Sequence, residues 1–289
     1  MPSTAACPVA APMLDAAAQA RFHAQGYHIL PAFLAEDRIE TLKREVDAFL
    51  ADQAAPVDPY APTGVSTRKL QLEYQEHGQL LNDPALVAVL SQLMDGQRFT
   101  FHHLHTARHD PGCGGVSWHH DYEQMPQTNR SHLMVHVFYY LNGLNGEIGD
   151  LLLLPGSHQR IMERNALGSC GTGVLPGELV IDDVPPGTAI IVHSAALHAR
   201  RAKPGGAGRS RYFIDSSYCQ AGVQWPSYGP DRPDAMMARA LARGLGRGGE
   251  MDYLFDASAF FSSAEGRQRL QEHRQGSLAL SFPLPAAGA

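Results

Sequence analysis

The segment Trp118-His119-His120-Asp121 combines residue types and a spacing that suit metal binding. In an extended strand, side chains at positions i and i+2 point to the same side, so His119 and Asp121 can address one point while His120 points away. A histidine and a carboxylate on one strand face are two of the three ligands of a facial triad, which holds Fe(II) and leaves positions open for a chelating co-substrate and O₂. The motif therefore predicts an iron site that a distant histidine completes.

Two histidines near the end of a later apolar segment can supply the third ligand. The segment begins at Gly187 and carries His193 and His198, and Arg209 and Arg211 follow at the start of the next strand-like run. A fixed guanidinium binds a carboxylate through two hydrogen bonds, as the distal end of a dicarboxylate such as 2-oxoglutarate requires. Each residue alone also fits a structural role: His198 could cap a turn, and either arginine could lie at a solvated strand end. The ordered combination favours an iron and 2-oxoglutarate site.

Further candidates lie close to these residues. His103 and His105 alternate along a predicted strand, where the pattern fits co-substrate contact and core packing alike. Trp118 and Tyr122 flank the ligands and are candidates for substrate contact, although aromatics beside a motif more often pack in the core. Arg200 follows the distal histidine and is a candidate partner for an anionic group of the substrate; a place in a solvated loop fits it equally well.

Helical patterns occupy the two ends of the chain. Apolar residues recur at helical spacing over 36–49 and 84–94, and residues 231–275 return to a helical pattern that several glycines interrupt. Between them lie short strand-like runs separated by Pro and Gly turns, at 98–108, 132–141, 151–154, 178–182, 188–193 and 209–219. Strands at this spacing without intervening helices indicate an antiparallel sandwich or barrel.

Composition excludes several classes of function. The formal charge of −6 offers no basic excess for nucleic acid, and no apolar run reaches the length needed to span a bilayer. Residues 1–20 lack a basic region ahead of an apolar core, so we expect a disordered tail and no signal peptide. The four cysteines are scattered, which argues against a disulfide framework or a cysteine zinc site and fits a cytoplasmic protein. Nothing in the sequence indicates the oligomeric state.

From Phe22 to about Gln220 the sequence resembles the phytanoyl-CoA dioxygenase family of iron and 2-oxoglutarate enzymes, including its ectoine hydroxylase branch. The opening Phe22-His-Ala-Gln-Gly-Tyr-His-Ile-Leu-Pro, the Trp-His-x-Asp motif at 118–121 and the turn Leu154-Pro-Gly-Ser-His carry the resemblance, together with the segment from Pro186-Gly187 to His198. Arg209 falls eleven positions after His198, where the family carries its 2-oxoglutarate arginine.

The resemblance implies a mainly β fold with flanking helices, in which the core is a double-stranded β-helix, or jelly roll. We expect one domain over 21–289, with a β core at about 98–220 and a helical extension at about 231–275. It further implies that His119, Asp121 and His198 bind Fe(II) and that Arg209 binds 2-oxoglutarate. The implied reaction is hydroxylation of a small organic substrate by O₂, with release of succinate and CO₂.

The sequence departs from the family pattern in places, and other functions stay open. After the distal histidine the family often carries a small residue and then a serine, but this chain has Ala199-Arg200-Arg201, which puts one hydrogen bond to 2-oxoglutarate in doubt and adds positive charge. Desaturation, epimerisation or ring closure at the same iron site are alternatives, as is a non-catalytic jelly-roll binding protein. A zinc hydrolase is disfavoured because no predicted helix carries a histidine pair and no general base is evident.

Overall fold

The strands form two antiparallel sheets that share one apolar core. The computed structural model describes residues 13–54, 68–126, 129–202, 209–227 and 233–262, with 264–266, 268–269 and 271–272. Its helices are α1 (Ala16–Gln25), α2 (Glu36–Ala54), α3 (Gln75–Leu81), α4 (Pro84–Leu93) and α5 (Pro233–Ala242). Its strands are β1 (Tyr27–Leu30), β2 (Phe99–His109), β3 (Val116–His119), β4 (Met134–Tyr140), β5 (Leu144–Asn145), β6 (Leu151–Leu153), β7 (Leu179–Ile181), β8 (Asp183–Val184), β9 (Thr188–His193), β10 (His198–Arg200) and β11 (Arg211–Gln220).

Strand order brings distant parts of the chain together. The larger sheet has the order β1-β9-β4-β11-β2 and the smaller one the order β3-β10-β6-β7, while β5 and β8 pair separately. Every one of these strand pairs is antiparallel. Because such sheets need long connections between strands that are remote in sequence, the fold cannot form from local hairpins alone. This architecture confirms the predicted jelly-roll class.

Strand β4 shows why the larger sheet has two different faces. Val135, Val137 and Tyr139 belong to the core beneath the helices, whereas Phe138 and Tyr140 belong to the core between the sheets. All seven residues of β4 are buried, which explains its continuous apolar run: a strand covered on both faces needs no polar alternation. Every second residue of the sheet therefore points into the space between the two sheets.

The first helix begins within the segment that we expected to be a disordered tail. Residues 16–20 belong to α1, whose N-cap Asp15 accepts a hydrogen bond from the backbone of Ala18 and whose C-cap Gly26 has φ of +86°. Leu14 is buried, and its backbone N–H donates to Gln92 on α4. Residues 1–12 of the expected tail lie outside the described residues.

The predicted helical extension begins at α5. Beyond α5, 3₁₀ turns at Arg247–Gly249, Asp252–Phe255 and Ala257–Ala259 cover one end of the larger sheet, and Leu254 accepts a hydrogen bond from the Thr100 hydroxyl of β2. The extension is thus a cap on the β core. Residues 273–275, at the end of the predicted extension, lie outside the described residues.

Replacing Gly187 with alanine is expected to destabilise the fold by about 2 kcal/mol or more. Gly187 has φ of +74°, and a Cβ there would lie 2.6 Å from the backbone oxygen of Leu34 and 2.7 Å from Ile39 Cδ1. Gly177 is a matched control, because its φ is +80° but a Cβ would meet nothing within 4 Å. Alanine at Gly177 should cost only the backbone strain, about 1 kcal/mol. Urea unfolding measures both variants, and equal losses would contradict the packing role of Gly187.

Candidate active site

The pairing of β3 with β10 brings the first and the last predicted iron ligand together. His119 ends β3 and His198 begins β10, and the two residues are direct partners in the antiparallel register. Their rings lie 4.3 Å apart between centroids. Asp121 follows two residues after His119, where its backbone N–H donates to Ser194 at 2.7 Å. The fold therefore gathers the three residues that the sequence analysis selected.

The hydrogen bonds of the two rings determine which nitrogen faces Asp121. His119 Nδ1 donates to the carbonyl of Ser117 at 2.7 Å, and His198 Nδ1 donates to that of Ala196 at 3.1 Å. A carbonyl oxygen only accepts, so Nδ1 carries a hydrogen in both rings and Nε2 is the atom left for a ligand. These Nε2 atoms lie 3.6 Å and 3.1 Å from the carboxylate oxygens of Asp121.

Three electron-pair donors thus converge on one point. Two imidazole nitrogens and one carboxylate are the donor set of a facial triad, which suits Fe(II) and other first-row divalent ions. Burial and neighbouring His198 lower the pKa of His119, which favours the neutral ring that a metal needs. Burial opposes ionisation of Asp121, but the neighbouring histidines, His198 first among them, outweigh it and hold the pKa of Asp121 well below its usual range. The residues present therefore fit an iron ion.

An arginine that the sequence analysis did not select positions the carboxylate ligand. Arg164 donates to Asp121 Oδ1 at 2.7 Å and to Glu123 Oε1 at 2.8 Å. With Oδ1 held by Arg164, Asp121 Oδ2 faces His198, as an oriented metal ligand requires. Arg164 lies in the long connection between β6 and β7, where no sequence pattern distinguishes it from other surface charges.

The triad opens into a cavity of about 250 Å³ between the two sheets. That volume is close to the lower end of the range for small-molecule sites. The cavity lining is rich in titratable and aromatic residues: His103, His105, His109, Val116, His119, Asp121, Glu123, His136, Phe138, Tyr140, Leu151, Arg164, His198, Ala199, Arg200, Arg211, Phe213 and Asp215.

The co-substrate arginine that the sequence analysis chose does not reach this cavity. Arg209 precedes β11, is exposed, and borders surface grooves beside Pro186 and Asp110. Arg211, two residues later, is buried and lines the cavity. The selection of Arg209 was therefore wrong in position, because β11 begins only at Arg211, which pairs with His109 of β2.

Arg211 is held in place by neutral groups. Its guanidinium lies 3.2 Å from His109 Nδ1, and the rings of Tyr140 and Phe213 lie 4.9 Å and 5.1 Å from its central carbon. Burial and the nearby guanidinium lower the pKa of His109 to about 3, so this ring is a neutral acceptor. Within the described residues Arg211 forms no ion pair. A buried guanidinium without a carboxylate partner is costly, and an anionic ligand offsets that cost.

Backbone and hydroxyl groups complete this end of the cavity. Gly149, with φ of +131°, leaves room for Arg211, since a Cβ there would lie 2.9 Å from Arg211 Cδ. The Tyr140 hydroxyl is buried and makes no hydrogen bond within the described residues. Burial raises the pKa of Tyr140 to about 12, so its hydroxyl is available to donate to an anion. Arg200 also lines this end and donates to the carbonyl of Gly114 at 2.5 Å.

Of the other selected residues, two reach the cavity and two do not. His103 and His105, the proposed co-substrate contacts, both line it. Trp118 is fully buried away from it and donates through Nε1 to Gly173. Tyr122 is fully buried as well, stacks near His193 and donates to the carbonyl of His132. The structure therefore places both rings in the core and outside the cavity, whereas the sequence predicts that they contact the substrate.

Three remaining histidines have structural partners. His120 points away from the triad, as strand alternation predicts, and its Nε2 donates to the carbonyl of Met162 at 3.0 Å. His158 Nε2 donates to His23, and His193 Nδ1 accepts from the backbone of Ala195. The rings of His158 and His193 contact each other outside the cavity lining.

The fold agrees with comparisons to known proteins. Residues 22–209 match the family model "Phytanoyl-CoA dioxygenase (PhyH)". The chain therefore belongs to the phytanoyl-CoA dioxygenase family, whose members are non-haem iron enzymes that depend on 2-oxoglutarate and use O₂. Membership confirms the predicted family, and with it the enzyme class and the co-substrate set at the level of the family.

Individual relatives share only a low sequence identity with this chain. Ectoine dioxygenase of Halomonas elongata is 27% identical over 156 residues, which is 50% of this chain and 46% of that protein, so the chain matches about half the length of this curated relative. The carbocyclase SnoK from nogalamycin biosynthesis superposes with a TM-score of 0.59 at 17% identity, over 81% of this chain and 93% of that one. EctD from S. alaskensis was solved with 2-oxoglutarate and 5-hydroxyectoine. It superposes with a TM-score of 0.56 at 19% identity, over 73% of this chain and 78% of that one. The two structures establish likeness of fold.

The helices carry no sign of a membrane span. None of those in the described ranges combines the length and the apolar character needed to cross a bilayer.

Substituting His198 with alanine is expected to abolish Fe(II) binding at the triad while the protein stays folded. One of three converging donors is lost, and the remaining two hold the ion far less tightly. His120→Ala is the matched control, because its ring faces Met162 and its loss should cost only about 1 kcal/mol of stability. Anaerobic equilibrium dialysis against Fe(II), with circular dichroism as the folding check, measures the effect. Loss of iron in the His120 variant with retention in the His198 variant would refute the proposed ligand set.

Proposed function

We propose that this protein is an Fe(II)- and 2-oxoglutarate-dependent dioxygenase that hydroxylates a small organic substrate and releases succinate and CO₂. The observation that carries the proposal is the convergence of His119 Nε2, His198 Nε2 and Asp121 in the same cavity as the buried Arg211, which forms no ion pair within the described residues. Bound Fe(II) supplies the redox chemistry that couples decarboxylation of 2-oxoglutarate to substrate oxidation.

The residues of the chain bind and orient the reactants. Arg211 would hold the distal carboxylate of 2-oxoglutarate through its fork, and the Tyr140 hydroxyl would donate to the same group. Phe138 and Phe213 form apolar walls between this anchor and the triad, since the Phe138 ring lies 5.5 Å from that of His198 and 5.4 Å from that of Phe213. Apolar walls exclude water from the space in which the co-substrate meets the metal.

Arg200 stands where many relatives carry a serine that helps to hold 2-oxoglutarate. Its guanidinium lines the same end of the cavity as Arg211. A second cation there compensates for the missing hydroxyl by its charge. The departure from the family pattern therefore leaves the co-substrate anchor intact.

Other outcomes on the same iron site are the second candidate. Solved structures with the same fold include the carbocyclase SnoK and the epimerase SnoN of nogalamycin biosynthesis. Ring closure, epimerisation or desaturation by this chain would use the same triad and the same co-substrate anchor. A purely binding role is disfavoured, because the three donors and the arginine are all in place.

Succinate formation without an added substrate tests the enzyme class. Incubation with Fe(II), ascorbate, 2-oxoglutarate and ¹⁸O₂ should yield succinate that carries one ¹⁸O atom, since the oxidative decarboxylation adds one oxygen atom to the new carboxylate. His198→Ala should form none above the enzyme-free background. Mass spectrometry of succinate decides, and unlabelled succinate, or equal yields from both proteins, would exclude the proposed chemistry.

Substitution of Arg211 tests the co-substrate anchor. Arg211→Ala should raise the KM for 2-oxoglutarate by roughly 30-fold or more, because removing one partner of a buried charge pair costs about 2–5 kcal/mol. Arg211→Lys should recover only part of the affinity, since lysine lacks the bidentate fork. Arg209→Ala is the matched control and should leave KM unchanged. A large increase in KM for the Arg209 variant, with none for the Arg211 variant, would show that the exposed Arg209 binds 2-oxoglutarate.

The product of a coupled reaction distinguishes the possible outcomes. Three protein donors and a chelating co-substrate leave one open metal position, which the reaction with O₂ requires, so chloride has no place to bind. We therefore expect a product with one added ¹⁸O atom and no chlorine, even in concentrated chloride. Mass spectrometry of products from a substrate library under ¹⁸O₂ measures this. A product lighter by two hydrogens would favour desaturation instead, and a chlorinated one would contradict the assigned Asp121 ligand.

A further inference from the structure

A second group of metal-binding residue types faces the cavity from the opposite sheet. His103 on β2, His136 on β4 and Asp215 on β11 each offer a ligand atom, and these atoms lie within 4.8 Å of one another. All three residues are buried and line the cavity. The iron triad belongs to the smaller sheet and its extension, whereas this second cluster belongs to three neighbouring strands of the larger sheet.

Strand register explains how the second cluster forms. Ser217 of β11 pairs with His103 on one side and with His136 on the other, and Asp215 lies two residues along on the same face. Arg211 stands four residues from Asp215 on that face, about 13 Å along the strand. The second cluster is therefore separate from the anchor assigned to 2-oxoglutarate.

A chain of hydrogen bonds fixes the protonation of His103. His102 Nε2 lies 2.8 Å from the carbonyl of Pro226, which only accepts, so that nitrogen carries a hydrogen. A neutral imidazole with its hydrogen on Nε2 offers Nδ1 as an acceptor. His103 Nδ1, 2.8 Å away, must therefore be the donor.

His103 consequently turns a lone pair towards Asp215. With its hydrogen on Nδ1, the neutral ring of His103 carries its lone pair on Nε2. That Nε2 lies 4.0 Å from Asp215 Oδ2. Two electron-pair donors that face each other at this distance in a buried place are stabilised by a cation between them. The iron triad shows the same arrangement.

His136 completes the set from the neighbouring strand β4. Its Nδ1 lies 2.9 Å from both carboxylate oxygens of Asp215. The ring nitrogen and the carboxylate therefore already face each other, and a metal ion can bind where they meet.

We propose that His103 Nε2, His136 Nδ1 and the Asp215 carboxylate form a second binding site for a first-row divalent cation such as Zn²⁺. Two imidazoles and a carboxylate suit zinc and its neighbours. His103 is oriented for this task by Ser217 Oγ and His102 Nδ1, each 2.8 Å from its Nδ1, as supporting groups orient ligands in known metal sites. The bound ion faces the cavity, so its remaining positions are open to oxygen donors of a substrate.

Counting bound ions tests the proposal directly. Metal-free protein is dialysed anaerobically against low micromolar Zn(II), and bound zinc is measured by inductively coupled plasma mass spectrometry. The wild type should bind two ions per chain. Asp215→Asn, His136→Gln and, separately, His198→Ala should each bind one, and the double variant His198→Ala/Asp215→Asn none. His105→Gln is the matched control, because its ring lines the same cavity outside both ligand sets, and it should bind two.

Two other results would contradict the second site and leave the assignment of the iron triad unaffected. One ion in the wild type, lost only with His198→Ala, would show that the second cluster holds none. A second equivalent that persists in both Asp215→Asn and His136→Gln would be binding elsewhere on the surface. Thermal unfolding with and without Zn(II) distinguishes the loss of a metal site from misfolding of the variant. Zinc should still raise the Tm of His198→Ala and should not raise that of the double variant.

Discussion

The antiparallel pairing of β3 with β10 is the constraint on which the site depends. It sets His119 directly opposite His198, although 78 residues separate them in the sequence. β10 also pairs with β6 through His198 and Leu153, so its register is fixed from both sides. Because side chains alternate along a strand, a slip of one residue would turn either histidine out of the cavity. The backbone bond from Asp121 to Ser194 then brings the carboxylate to the same point.

The cavity is lined by buried charged groups, which protein cores usually lack because burying them is costly. Arg211 is buried without an ion pair among the described residues, and the two histidine–carboxylate clusters face each other across one space. Each arrangement is costly in a protein interior unless a partner of opposite charge is bound. Bound ligands would add stabilising partners here, an anion at the Arg211 end and cations at the two clusters. Ligand binding should therefore stabilise this fold, because ions that bind only the folded chain shift its unfolding equilibrium.

Periodicity and spacing predicted the elements and two residues of the triad, and the family resemblance selected His198 as the third. Neither predicted how deeply each side chain is buried. Alternation correctly separated His119 and Asp121 from His120; applied in full, it would also have turned Trp118 away from the cavity. Arg209 was chosen by its distance from His198, yet only the pairing of Arg211 with His109 decides where β11 begins. Arg164 and the cluster of His103, His136 and Asp215 depend on contacts between segments far apart in sequence, which no local pattern encodes. The capping residues Asp15 and Gly26 would have revealed α1.

The optical spectrum of the anaerobic protein with Fe(II) and 2-oxoglutarate tests the central claim most directly. Chelation of Fe(II) by the keto-acid end of 2-oxoglutarate produces a charge-transfer absorption in the visible range, which neither component gives alone. The account predicts that this absorption appears when 2-oxoglutarate is added to the wild type loaded with Fe(II), and that it is absent in His198→Ala. A wild-type protein that binds one equivalent of Fe(II) yet shows no such absorption at saturating 2-oxoglutarate would contradict it.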